Sequence, residues 1–126
     1  MENSRLGLVG ELRVMAELLE RGHNPTKSYL DNGVDLILEN GVRLQVKTVE
    51  KLDKRGYAMP SFGKGNSKKS VKISEYADYA VVWIRQTGDF FIIPARLLDF
   101  KTTISLMAND SKYGQFKNNW NLLERG

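Results

Sequence analysis

A carboxylate, an amide and an ammonium group lie within one alternating segment of this 126-residue chain. They belong to Asp35, Gln45 and Lys47, in the segment 33–47. Apolar and polar residues alternate on both sides of an Asn-Gly pair, which is the pattern of two half-buried strands joined by a turn. Carboxylate and amide oxygens are ligands for hard cations such as magnesium or manganese. The register of the predicted hairpin decides whether the three groups meet.

Burial of the apolar residues selects the register in which the two strands of the hairpin pair. A two-residue turn would place Leu36 opposite Gln45 and mix apolar and amide groups on the buried face. A three-residue loop with its glycine in the left-handed position instead pairs Leu36 with Leu44. A one-residue shift would turn the apolar set outward, so burial favours the three-residue loop. It predicts Asp35 directly across from Gln45, with Lys47 further along the same face. An ordinary solvated sheet face is the alternative.

A helix is predicted upstream of the hairpin, over residues 4–21. The apolar stripe predicted to face the core consists of Leu8, Leu12, Met15 and Leu19, widened by Val9, Ala16 and Leu18. Glu11 lies outside the charged face, because its neighbours one turn away are small or apolar. A core-facing acid is costly unless it is paired or binds metal, so we predict that Glu11 points towards Asp35 and Gln45. A partly exposed acid near the helix N-terminus is the alternative, because the helix dipole favours negative charge there.

Composition limits the class of protein and the kind of site. The chain is 41% hydrophobic, which fits a single domain over residues 1–126. It has no cysteine and one histidine, so any metal site would use oxygen ligands, as Mg²⁺ and Mn²⁺ sites do. We expect a cytoplasmic protein without membrane contact, since no membrane span or signal-peptide pattern is found. A net charge of +4 permits a nucleic-acid partner without requiring one.

The polar residues singled out above occupy a helix followed by three predicted strands. This arrangement resembles the PD-(D/E)XK nuclease superfamily over residues 5–50. The positions that match the family's motif are Val34-Asp35 for proline-aspartate, Gln45-Val46-Lys47 for (D/E)-X-K, and Glu11 for the helical glutamate. The Q-X-K variant is similar to that of the intron-encoded homing endonucleases, and the layout of helix and hairpin is similar to that of archaeal Holliday-junction resolvases. The resemblance implies an α/β, restriction-endonuclease-like core with a central mixed β-sheet flanked by helices.

The resemblance also implies a function, that of a metal-dependent DNA endonuclease using Mg²⁺ or Mn²⁺. Asp35 would be the principal ligand and Glu11 would bind directly or through water. Gln45 and the backbone carbonyl of Val46 would complete the protein ligands. Lys47 would orient the attacking water or stabilise charge on the phosphate, the alternative being a solvated strand lysine. Because Gln45 replaces an acid, metal affinity should fall, or a single ion be held.

A basic segment with no acidic residue covers residues 54–72. Its charged residues are Lys54, Arg55, Lys64, Lys68, Lys69 and Lys72. Lysines next to flexible, glycine-rich backbone suit contacts to DNA phosphates. We prefer Lys64, Lys68 and Lys69 as these contacts, and a solubilising surface loop is the alternative.

The rest of the chain is expected to complete the sheet. The predicted elements are strands over 26–30, 78–85 and 90–93, a helical turn over 95–100, an edge strand over 102–106 and a final helix from Ser111. Tyr113, Phe116, Trp120 and Leu123 recur at helical spacing in that final segment and are predicted to be core residues.

The sequence is compatible with three functions. The first is an endonuclease acting on duplex or branched DNA, as a homodimer or homotetramer, because duplex DNA has two strands to cut. The second is a catalytically weak or inactive nucleic-acid-binding module on the same fold, which Gln45 favours. The third is a structural component of a larger complex, with the lysine loop facing RNA. Cleavage in the presence of magnesium distinguishes the first from the others.

Overall fold

A computed structural model describes residues 1–29, 33–63, 71–107 and 112–124. Its elements are helix α1 (Asn3–Glu20) and strands β1 (Thr26–Lys27), β2 (Leu36–Ile37), β3 (Arg43–Val49), β4 (Tyr79–Ile84) and β5 (Asp89–Pro94). Short 3₁₀ helices cover Ile73–Glu75, Ala95–Leu98, Gly114–Phe116 and Trp120–Leu123. The strands form one sheet in the order β1-β2-β3-β4-β5, parallel between β3 and β4 and antiparallel elsewhere. The predicted α/β class with a mixed sheet is confirmed.

The hairpin of β2 and β3 has the predicted loop. Leu36 pairs with Leu44, and Gly41 adopts a φ of 86°, as the three-residue loop requires. The ladder does not continue beyond Leu36. The N–H of Asp35 donates to the carbonyl of Leu44 at 2.9 Å, so Leu44, which already pairs with Leu36, takes the place that Gln45 would have had opposite Asp35. The predicted pairing of Asp35 with Gln45 is therefore wrong. The register shifts at Asp35, and β2 leaves β3 there.

Helix α1 packs on one face of the sheet with a different stripe from the predicted one. Its buried residues are Leu6, Gly10, Val14 and Leu18. Leu8, Leu12 and Leu19 are exposed, so their predicted place in the core is wrong. Met15, Val9 and Leu18 do pack against the core, as predicted. A Cβ added at Gly10 would overlap the hydroxyl of Thr48 on β3. The helix therefore lies close against β3 at Gly10, and this contact favours the side of the helix that faces inward.

The C-terminal segment is buried but not α-helical. From residue 112 to residue 124 it has only the two 3₁₀ helices, so the predicted final helix is wrong for these residues; Ser111 lies outside the described residues. Asn118 explains the break, because it adopts a φ of 51°. Its N–H donates to the Phe90 carbonyl at 2.6 Å, and its side-chain Oδ1 accepts the Phe90 N–H at 2.9 Å. The segment is thus tied to β5, and its four apolar residues are core residues, as predicted.

The remaining predictions for the second half have mixed outcomes. The central strand, its antiparallel neighbour and the following helical turn are confirmed as β4, β5 and the 3₁₀ helix Ala95–Leu98. The predicted edge strand over 102–106 is wrong, because only isolated bridges form there, from Thr103 to Ser61 and from Leu106 to Ala58. Within the described residues, the structure contains no helix of the length and apolarity that a membrane crossing requires.

Candidate active site

Asp35 lies where β2 and β3 separate. Its carboxylate Oδ2 accepts the Val46 N–H at 2.7 Å, so the side chain takes a hydrogen bond that a continuing strand would have made. Burial raises the pKa of Asp35, against the opposing effects of the Val46 N–H and of the positive charges of Lys47 and Lys27. The carboxylate is therefore held in position by the Val46 N–H and lies near the ammonium groups of Lys47 and Lys27.

Glu11 reaches the same place from α1. Its side chain is mostly buried and forms an ion pair with Lys27, with 3.7 Å between Nζ and Oε1. Burial raises the pKa of Glu11, the nearby charge of Asp35 raises it further, and Lys27 opposes both. Two acids whose charges act on each other share a neighbouring lysine, so the structure brings Glu11 and Asp35 together.

Gln45 is buried, and its two polar atoms have different surroundings. Its amide hydrogen-bonds the hydroxyl of Tyr76, an interaction that lowers the pKa of Tyr76 against the larger raising effect of burial. An interaction that favours the phenolate is a donation to the phenolic oxygen, so the Gln45 N–H is the donor. The Gln45 Oε1 has no hydrogen-bond partner among the described residues. A buried acceptor without a partner is costly in a folded protein and is what a cation ligand looks like before the cation binds.

Lys47 lies on the other face of β3 from α1. Leu44 and Val46 pack against the cluster that α1 covers, whereas the Lys47 Nζ lies 5.8 Å from the ring of Phe62, a member of the opposite core. The charge of Lys47 nevertheless acts on Asp35. Asp35 therefore links the two faces, with Glu11 approaching from one side and Lys47 from the other.

Two residues of this site were missed by sequence reasoning. Lys27 pairs with Leu36 across β1 and β2, so the predicted antiparallel pairing of these strands could have placed a lysine beside Asp35. No sequence pattern pointed to Tyr76, because it reaches the site only through the packing of a segment distant in sequence. A Cβ added at Gly33 would overlap the Tyr76 ring, which explains a glycine with a φ of 85° before β2.

The basic segment is described only at its ends. Lys64, Lys68 and Lys69 lie outside the described residues. Lys54 and Lys72 are exposed. Arg55 forms an ion pair with Asp53, at 2.9 Å between Nη2 and Oδ2, so part of its charge is already balanced within the chain.

The residues around Asp35 fit a hard divalent cation. Glu11 and Asp35 supply two interacting carboxylates, and Gln45, on the same face of β3 as Lys47, carries an unpaired amide oxygen. The N–H of Val46 donates to Asp35; in an extended strand the carbonyl of the same residue points to the same edge, which here is the edge next to β2. No group of three or more His, Cys, Asp or Glu side chains able to hold a metal occurs among the described residues.

Comparisons with known proteins identify the fold. No family model matches the sequence, and no curated protein matches it. Among solved structures, a bacterial homing endonuclease, I-Ssp6803I, matches with a TM-score of 0.74 and 18% sequence identity, over 96% of this chain and 90% of that chain. At this level of identity the likeness extends to the fold, and the chain is therefore similar in fold to a bacterial homing endonuclease along almost its whole length.

Proposed function

We propose that this protein is a metal-dependent endonuclease of the PD-(D/E)XK type that hydrolyses phosphodiester bonds in DNA. The observation that carries the proposal is that the Asp35 carboxylate, which accepts the Val46 N–H, interacts with the charges of both Glu11 and Lys47. The likeness in fold to a homing endonuclease supports DNA as the substrate.

Asp35, Glu11, Gln45 and the Val46 carbonyl would hold Mg²⁺, or Mn²⁺ in its place. When bound, the ion supplies a water of lowered pKa and polarises a phosphoryl oxygen. The chain contributes the fixed geometry. Asp35 is held by the Val46 N–H, and the Gln45 amide is held through its N–H by Tyr76, which leaves Oε1 for the cation.

The two lysines have separate tasks in this proposal. Lys47 would orient the attacking water or stabilise the negative charge that builds on the phosphate. Lys27 balances charge in the metal-free protein, because it pairs with Glu11 and its charge also acts on Asp35. With two carboxylates and two ammonium groups, the site has little net charge before metal and phosphate arrive.

Cleavage of plasmid and branched DNA, with and without Mg²⁺, tests the proposal. We expect Mg²⁺-dependent cleavage that is lost in Asp35→Asn and Lys47→Met, with DNA binding retained. Lys51→Met is the matched control, because Lys51 is exposed and lies beyond the end of β3; it should cleave like the wild type. Cleavage that persists in Asp35→Asn would contradict the assignment. The relative rates on linear and branched DNA distinguish a homing-endonuclease-like from a resolvase-like substrate.

The second candidate function is a binding module of the same fold with weak or no turnover. The site has an amide where the motif has its second acid, and this observation favours the module. Binding of DNA without cleavage in either Mg²⁺ or Mn²⁺ would support it. Gln45→Glu separates the two functions further, since a module that lost activity through this replacement should gain Mg²⁺-dependent cleavage in the variant.

A further inference from the structure

The outward face of α1 is apolar although it faces solvent. Leu8, Leu12 and Leu19 are 46%, 56% and 56% exposed, and Met15 lies at the edge of the same side of the helix, where it is partly buried against the core. These four residues are named the leucine stripe here. A surface helix normally presents polar residues outward, whereas this helix is apolar on the face it buries and on the face it exposes. A continuous apolar strip on a surface marks an interaction site.

We propose that the leucine stripe is the interface of a symmetric dimer of this protein, in which the two α1 helices pack antiparallel. The charges along α1 support a second copy as the partner. Arg5 lies near the start of the stripe and Glu20 near its end, and at 100° per residue both fall on the same flank of the helix. In a twofold antiparallel pair, the same flanks face each other in reversed order, so Arg5 of one copy meets Glu20 of the other.

The register of the pair follows from the spacing of the stripe. Leu8 lies opposite Leu19 of the second copy when Leu12 lies opposite Met15 of the second copy. Arg5 and Glu20 of the second copy are then two residues apart along the axis, about 3 Å at the helical rise, within reach of these long side chains. Among the described residues neither Arg5 nor Glu20 has an ion-pair partner in its own chain. In a parallel twofold pair these flanks would lie on opposite sides of the interface, so Arg5 and Glu20 of the second copy would not meet.

This proposal rests on exposure and charge and does not depend on the proposed nuclease activity. The two are connected only by position, because Glu11 lies on the same helix between Leu8 and Leu12. A dimer through α1 would therefore fix the distance between two copies of the site. The mass of the protein in solution tests the dimer, and DNA cleavage tests the function, so either can fail alone.

Sedimentation equilibrium of the full chain without DNA is the first experiment. We expect a dimer of the 14.3 kDa chain. Leu12→Glu should raise its dissociation constant at least about a hundredfold, because symmetry places two carboxylates in the apolar interface. Leu97→Glu is the control, because Leu97 is also exposed but lies on the 3₁₀ helix Ala95–Leu98; it should dimerise like the wild type. Circular dichroism verifies that both variants fold. A monomeric wild type, or a Leu12→Glu variant as dimeric as the wild type, overturns the proposal.

A charge exchange tests the direction of the helices. Arg5→Glu and Glu20→Arg should each weaken the dimer, because each brings like charges together in the antiparallel pair. The double variant should restore the wild-type dissociation constant. Single variants that strengthen the dimer, or a double variant that fails to restore it, would overturn the antiparallel arrangement.

Discussion

Asp35 and Glu11 are held in surroundings that favour their neutral forms, since burial raises the pKa of both carboxyl groups. An acid whose pKa is higher in the folded than in the unfolded protein binds its proton more tightly when folded. Its contribution to stability is therefore greatest below the unfolded pKa and declines as the pH rises through the folded pKa. At neutral pH the ionised pair costs stability, as expected of groups placed for chemistry.

Asp35→Asn should consequently stabilise the protein while abolishing cleavage. Asparagine keeps an oxygen for the Val46 N–H and removes the charge that burial disfavours. We expect a higher Tm than the wild type at neutral pH, and a difference that disappears at about pH 3, where the wild-type group is protonated in both states. Thermal unfolding followed across this pH range provides the measurement.

Asp53→Asn is a control that should change the Tm at neutral pH in the opposite direction. The pKa of Asp53 is lowered, by the Tyr57 N–H and by Arg55, so its ionised form contributes stability above the unfolded pKa and loses it as the pH falls through the folded pKa. We expect this variant to have a lower Tm than the wild type at neutral pH. An Asp35→Asn variant less stable than the wild type at neutral pH would refute the account of the buried pair.

Lys27→Met should strengthen the binding of Mg²⁺. The ammonium of Lys27 neutralises part of the negative charge of Glu11 and Asp35. Without it, that charge would attract the cation more strongly. A close ion pair at the surface contributes up to about 1 kcal/mol, which corresponds to a roughly fivefold gain in metal affinity when the competitor is removed. Isothermal titration calorimetry with Mg²⁺ measures this without cleavage, and Lys51→Met serves as the control. Unchanged or weaker binding would show that Lys27 does not compete for the site.

At the level of elements, the hairpin could be predicted and the orientation of α1 could not. Alternation and turn chemistry are local, so they fixed the pairing of Leu36 with Leu44 and the left-handed Gly41. Helix α1 is apolar on two faces, and periodicity cannot say which one meets the sheet. That choice depends on the contact of Gly10 with Thr48, two residues far apart in the sequence.

The register shift at Asp35 and the shape of the C-terminal segment were beyond sequence reasoning for a related reason. Each depends on a hydrogen bond that competes with regular structure, from Val46 to the Asp35 carboxylate and between Asn118 and Phe90. The other candidate residues were predicted by type and by element, but Lys27 and Tyr76 were not, because the place of Lys27 depends on how β1 pairs and Tyr76 reaches the site through packing.

Gly10→Ala should move α1 away from β3. The added methyl group overlaps the Thr48 hydroxyl, and overpacking of this kind costs about 1–3 kcal/mol. Because Glu11 follows Gly10, we also expect cleavage to decline. Gly7→Ala is the control on the same helix, since nothing lies within 4 Å of its added Cβ; removing a helical glycine there should stabilise by about 0.5–1 kcal/mol. Urea unfolding measures both, and partial rescue of Gly10→Ala by Thr48→Ala would locate the clash.

At the scale of the whole molecule, charge determines how the chain would hold DNA. The net charge of +4 is modest, and several basic groups outside the basic segment are already paired with acids, as Arg43 is with Asp78 and Arg85 with Glu50. Binding that positions a duplex without reading its sequence needs cations able to release counterions from phosphates. The lysines within the basic segment are the candidates, and their role remains a prediction.

Replacing Lys64, Lys68 and Lys69 together by alanine tests that role. If each lysine contacts one phosphate, the slope of log affinity against log salt should become shallower by about 2.7, because each contact contributes about 0.9. The same three positions changed to arginine keep the charge and should keep the slope, so this variant controls for effects other than the loss of charge. Fluorescence anisotropy of a labelled duplex over a salt series measures both variants. A slope that stays at the wild-type value in the alanine variant would mean that these lysines only solubilise the surface, and that DNA is held by other basic groups.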